Sequence, residues 1–289
     1  MQIGVHGLVF TGTFDTEGLV TAASGAQAAG FDLLEVPLMD PYGIDGAETK
    51  RILDDHGLAM SASLGLSPDT DLSSADQATS QRGENLVRQA IDVVAEAGGT
   101  ALCGVIYSAL TKYLAPASDQ ARAQSADALR RLGDHARQAG VELSLEIVNR
   151  YETNIANTAR AGLAFLDEIG HDNVHLHLYT YHMNIEESGM IEPILDSGNR
   201  LRYFHIGESH RGYLGTGTVD FDATFRALAR LAYDGPVVFE SFSSAVVSEA
   251  LSNTLGIWRN LWEDSADLAA HANRFVCDHI RGVQTIALH

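Results

Sequence analysis

Cysteine is nearly absent from this sequence: Cys103 and Cys277 are the only two among 289 residues. Two thiols cannot build the disulfide framework of a small secreted domain and are not spaced as a zinc motif, so a reducing, cytoplasmic compartment is expected. Basic residues are scarce too. Lys and Arg number 19 against 38 Asp and Glu, a formal net charge of -19, and such a chain repels phosphate backbones, which argues against nucleic acid as a partner. No apolar run approaches the roughly 18 residues of a membrane span, and the start, MQIGVHGLVF, lacks the basic region and cleavage site of a signal peptide. No membrane association is expected. A nucleotide fingerprint is missing as well, because the first candidate turn, HGLVFTGTF, contains neither GxGxxG nor GxxxxGK[ST].

What the chain does contain is a recurring unit. Short apolar runs rich in β-branched residues occur at 2–7, 31–38, 58–65, 100–107, 141–148, 174–180, 201–208 and 236–242. Stretches with helical spacing follow them at 16–29, 46–56, 74–97, 118–139, 157–169, 190–197, 220–231 and 248–261, with a further helix at 265–281. Gly30, Gly57, Gly98, Gly140 and Gly235 stand just before strands, where a left-handed helix cap is expected. Eight βα units in about 260 residues predict an α/β protein, a single (β/α)8 TIM barrel over 1–289 with a C-terminal helical extension from about 262.

Barrel strands are buried on both faces, so charged and imidazole side chains within them require a reason. The late strand positions carry His6, Glu35, Glu146, Tyr179 with His182 just beyond, His205 with Glu208, and Glu240. Chemistry in such barrels sits at the C-terminal strand ends, so these residues should converge on one mouth. Glu142 and Glu146 share a strand face, Glu146 being the later. Glu146, His205 and Glu240 form an oxygen and nitrogen donor set suited to Mn²⁺, Mg²⁺ or Co²⁺; a carboxylate paired with a Lys or Arg is the alternative reading. A divalent metal flanked by two glutamates suggests proton abstraction beside a ketone, one carboxylate removing the proton and the other returning it on the opposite face.

The motifs LEIVNRYETN, YHMNIEE, HIGESHRGYLGTG and GPVVFESFSS resemble the ketose 3-epimerases, the D-tagatose and D-allulose 3-epimerase family within the xylose isomerase-like barrels. The resemblance implies a metal-dependent isomerase that inverts C3 of free ketoses, and a homodimer or homotetramer. It also implies that Glu146 and Glu240 are both metal ligands and the acid and base pair, and that His205 is a third ligand. Glu152, His182 and Arg211 would bind the ketose, with His6, Phe242, Cys103, Ile106 and Tyr107 lining its pocket. Trp258 and Trp262, four apart, are expected to pack from one helix.

One position departs from the family pattern. Where the family carries an aspartate ligand, this chain has Tyr179, in YTYHMN. A phenol titrates near 10 against about 4 for a carboxyl group, so Tyr179 offers a neutral, bulkier and doubtful ligand, with His177 two residues earlier as a substitute. Three other functions follow if the site differs: a silent sugar-binding barrel, an aldose-ketose isomerase, or an apurinic-site endonuclease, the last opposed by the charge.

Overall fold

A computed structural model describes residues 1–286. The eight apolar runs form β1 (Ile3–His6), β2 (Leu33–Pro37), β3 (Ala59–Ser63), β4 (Ala101–Gly104), β5 (Glu142–Glu146), β6 (Val174–Tyr179), β7 (Leu201–Ile206) and β8 (Val237–Phe239). All pair in parallel, and β8 returns to β1 to close the barrel. The helices are α1 (Thr16–Ala29), α2 (Gly46–Asp55), α3 (Gln77–Glu96), α4 (Asp119–Ala139), α5 (Ala159–Ile169), α6 (Thr180–Glu186), α7 (Ile191–Ser197), α8 (Phe221–Arg230), α9 (Glu249–Leu255) and α10 (Ser265–Ile286).

Local chemistry explains the boundaries. Asp15, Asp45, Asp76, Ser118, Thr158 and Asp220 each accept a backbone N–H at a helix start. Gly30, Gly57, Gly98 and Gly140 have positive φ, as expected of residues that end helices. Gly235 does not. After α8 the left-handed residue is Ala232, at φ 55, and Gly235 is needed for space instead, since a Cβ there would lie 2.6 Å from the Arg202 carbonyl oxygen.

Two further features differ from the sequence reading. The helix expected over 248–261 stops at Leu255, because Gly256 turns left-handed at φ 67. Trp258 and Trp262 therefore share no helix: Trp258 is 76% exposed, whereas buried Trp262 donates its indole N–H to Ser241 Oγ at 2.8 Å. A short helix, α6, follows β6 directly, where the sequence reading assigned no element. The helix expected at 265–281 is α10, which packs against α1, α8 and β1 with Leu268, Ala269, Ala272 and Val276 buried.

The strand register sets the height of the polar side chains. His6 pairs with Glu35, Glu146 with His177, and Tyr179 with His205. A register shift between Leu176 and His177 interrupts the β6–β7 ladder just before that layer.

Candidate active site

Two cavities open at opposite ends of the barrel. The one at the N-terminal end of the strands holds about 480 Å³ and includes Ser61, Ser144 and Tyr203, but its charged residues pair off, Glu142 with Arg202 at 3.2 Å and Lys50 with Asp54. Glu142 thus lies at the end opposite Glu146. The other, about 140 Å³, lies at the C-terminal end and is lined by His6, Glu146, Glu152, His182, Arg211, Glu240 and Phe242. His205 and Tyr179 lie fully buried alongside it.

Glu146, His205 and Glu240 each bring a donor atom to one point, with these atoms all within 4.8 Å of one another. His6, Glu35 and Glu240 form a second such group. His205 Nε2 lies 2.7 Å from Glu35 Oε2, and its Nδ1 lies 3.6 Å from Glu240 Oε1. That Nδ1 has no hydrogen-bond partner although it is buried, and neither does Glu35 Oε1. A buried orphan imidazole nitrogen between two carboxylates fits a cation position.

The environments of the two glutamates differ. Burial pushes the Glu240 carboxyl well above the usual range, and the nearby Glu146 charge reinforces the effect against the pull of His205. Burial also works against the charged form of Glu146, but His177, His182 and His205 outweigh it and hold that carboxyl well below the usual range. For His205, burial is overcome by the Glu35 and Glu240 carboxylates, which raise it to about 9. Burial lowers His6 to about 4 and His177 to about 3.

His182 has a defined orientation. Its Nδ1 accepts from the Asn149 backbone N–H at 3.1 Å and from Asn149 Nδ2 at 2.9 Å, so the ring proton sits on Nε2. That nitrogen lies 3.5 Å from Glu146 and 3.9 Å from Glu152. Asn149 Nδ2 also donates to Glu152 Oε1 at 2.9 Å. His6 Nδ1 accepts the Leu8 N–H, leaving Nε2 facing Ser63 Oγ at 3.1 Å and Glu35 at 3.5 Å.

Arg211 is held by its loop. Glu208, fully buried, accepts N–H groups from Ser209, Gly215 and Val219, and Arg211 itself adopts φ 59. Its guanidinium lies 4.0 Å from the Tyr181 ring centroid and 4.9 Å from that of Phe242, stacked in the way aromatic faces accept a cation.

Tyr179 occupies a fitted slot. Its hydroxyl donates to the Glu240 backbone oxygen at 3.1 Å, and the ring passes over Gly207, where a Cβ would come within 2.4 Å of the hydroxyl. Burial raises this phenol well above its ordinary value. His177, suggested as a substitute, is fully buried against His205, with ring centroids 4.1 Å apart and both nitrogens unpartnered.

Cys103, Ile106 and Tyr107 do not line the mouth cavity as expected. They are fully buried, and Tyr107 donates to the Glu146 carbonyl oxygen, so it supports the strand rather than the pocket. Sequence reasoning also passed over Asn149 and Tyr181. Both stand inside quoted motifs, NRYETN and TYHMN, but His182 for Asn149 and Arg211 for Tyr181 come from other strand ends, which spacing cannot reveal.

The chain matches the Xylose isomerase-like TIM barrel family over residues 24–270. It is 57% identical over its whole length to the whole of a ketose 3-epimerase from Arthrobacter globiformis. It is 54% identical to an L-ribulose 3-epimerase from Methylomonas sp., the match covering 96% of each chain. The crystal structure of a D-allulose 3-epimerase from Methylomonas sp. in complex with D-allulose superposes with a TM-score of 0.95 at 53% identity, covering 96% of this chain and 97% of that one. These matches extend from the fold to nearly the full length of each relative, and the chain accordingly belongs to the ketose 3-epimerases, carbohydrate isomerases of the xylose isomerase-like TIM barrel family.

Proposed function

We propose that this chain inverts C3 of free ketoses, interconverting pairs such as D-fructose with D-allulose and D-tagatose with D-sorbose, with L-ribulose as a further substrate suggested by its relatives. The observation that carries the mechanism is geometric: Glu146 and Glu240 meet beside His205 at one pocket, their donor atoms within 4.8 Å of one another. Glu146 takes the C3 proton from one face and leaves an enediolate across C2 and C3. Glu240 returns a proton drawn from solvent to C3 from the other face, and the roles exchange for the reverse reaction.

A divalent cation, Mn²⁺ foremost with Co²⁺ or Mg²⁺ as alternatives, held by Glu146, His205 and Glu240, would supply Lewis-acid polarisation of the ketose carbonyl. The donor chemistry and the orphan His205 Nδ1 support that assignment. Glu152, His182 and Arg211 orient the sugar: the Nε2 proton of His182 and the guanidinium of Arg211 present donors to hydroxyl or carbonyl oxygens. His6 and Phe242 complete the wall.

Tyr179 favours a second reading, a sugar-binding barrel with little turnover, because a neutral phenol stands where the family has a carboxylate and is already engaged by the Glu240 backbone. Assay of the purified protein with added Mn²⁺ and D-fructose, D-tagatose or L-ribulose in D2O separates the readings. C3 epimers labelled at C3 are expected; label at C1 or C2 would indicate an aldose-ketose isomerase, and tight sugar binding without label a silent barrel. A homodimer or homotetramer in the cytoplasm completes the proposal, supported by the family and by the lack of paired cysteines. Among the described residues no helix is long and apolar enough to cross a membrane.

A further inference from the structure

We propose that Glu35 is the positioning residue of the cation site, fixing His205 so that Nε2 keeps its proton and Nδ1 is aimed at Glu146 and Glu240 for a cation to take. Glu35 lies in the middle of β2, fully buried, with no Lys or Arg paired to it among the described residues. Its Oε2 receives two donors, the Tyr203 hydroxyl at 2.6 Å and His205 Nε2 at 2.7 Å. Ser61 Oγ lies 2.6 Å from the same tyrosine hydroxyl. With the tyrosine hydroxyl donating to the same oxygen, the carboxylate acts as acceptor, and the proton between it and His205 resides on Nε2.

The consequence is chemical as well as steric. An imidazole that gives its Nε2 proton to a carboxylate keeps a lone pair on Nδ1 and becomes a stronger base there, the arrangement that makes histidine an effective ligand. Glu35 is the hydrogen-bonding partner of Nε2, whereas Glu240 Oε1 lies 3.6 Å from Nδ1 and His177, Tyr179, Tyr203 and His6 pack against the ring edge to face. The assignment rests on the proposed cation site and adds a residue that does not touch the cation or the sugar.

The test compares the intact protein with Glu35→Gln by calorimetric titration with Mn²⁺ and by Tm under chelation. Glutamine keeps the shape but removes the anionic acceptor. Mn²⁺ affinity is expected to fall about 10- to 100-fold, the usual cost of losing such a partner. Equal affinity in the two proteins would overturn the role of Glu35 while leaving the cation site standing. Failure of the unmodified protein to bind Mn²⁺ would remove both.

A second measurement does not depend on the variant folding. Long-range ¹H–¹⁵N spectra of the Mg²⁺-loaded unmodified protein should show His205 protonated on Nε2 and not on Nδ1. The opposite tautomer would refute the assignment.

Discussion

At the scale of single residues, the two glutamates and Tyr179 bear the clearest expectations. Glu146→Gln or Glu240→Gln should slow solvent exchange at C3 by about 10²- to 10⁴-fold, since each removes a base on one face of the sugar. Mass spectrometry of product formed in D2O reads this directly, and ordinary label incorporation in both variants would defeat the two-base scheme. Tyr179→Asp should bind Mn²⁺ more tightly and turn over D-fructose faster, because a hard anionic oxygen returns to the dication. It should also be less stable without metal. The phenol is fully buried against Tyr181, His182 and His205, and its loss should cost about 3 kcal/mol under chelation. Calorimetry with and without Mn²⁺ measures both effects; unchanged affinity would mean that strand six contributes no ligand. The carboxylates and histidines were legible in the sequence because charge inside a buried strand is conspicuous. The role of Glu35 was not, since its partners Tyr203 and His205 lie 168 and 170 residues away.

At the scale of elements, the eight strands were readable from β-branched runs, and most helix limits from a capping Asp, Ser or Thr and a closing glycine. The exceptions have local causes. α6 begins at Thr180, and Tyr179 before it makes no side-chain cap, so nothing in YTYHMNIEE announces the helix. The run from Ser248 looked longer than α9 because Gly256 was not weighed as a stop. Between helices, Glu84 of α3 is 6% exposed and accepts from Arg131 of α4 at 2.6 Å and from Arg88 at 3.2 Å. The Arg131 hydrogen bond leads the effects that hold its carboxyl below the ordinary value. A folded-state value lower than the unfolded one contributes stability above the unfolded value, about 4.3, and loses it as pH falls through the folded one. Glu84→Gln should therefore be most destabilising near neutrality, and the gap to the unmodified protein should close below about pH 4 in urea titrations. A gap independent of pH would show that packing, not charge, accounts for the loss.

At the scale of the whole molecule, closure leaves no free strand edge among the described residues, and the ring of helices depends on α10 as much as on its predecessors. Stopping the chain at Asp264 should leave the faces of α1, α8 and β1 that α10 covers open to water and yield a protein without a cooperative melt. Retention of a native-like transition would make α10 an appendage. Barrels commonly divide labour, with reactivity at one rim and durability at the other. Here Tyr203 lines the N-terminal cavity with Ser61 while its hydroxyl reaches Glu35 and, through it, His205. Floor and ceiling are thus mechanically joined by four side chains, Ser61, Tyr203, Glu35 and His205. Replacing Ser61 to harden the base against heat would also retune the reactive rim, and selection for durability and selection for chemistry cannot proceed independently along that line.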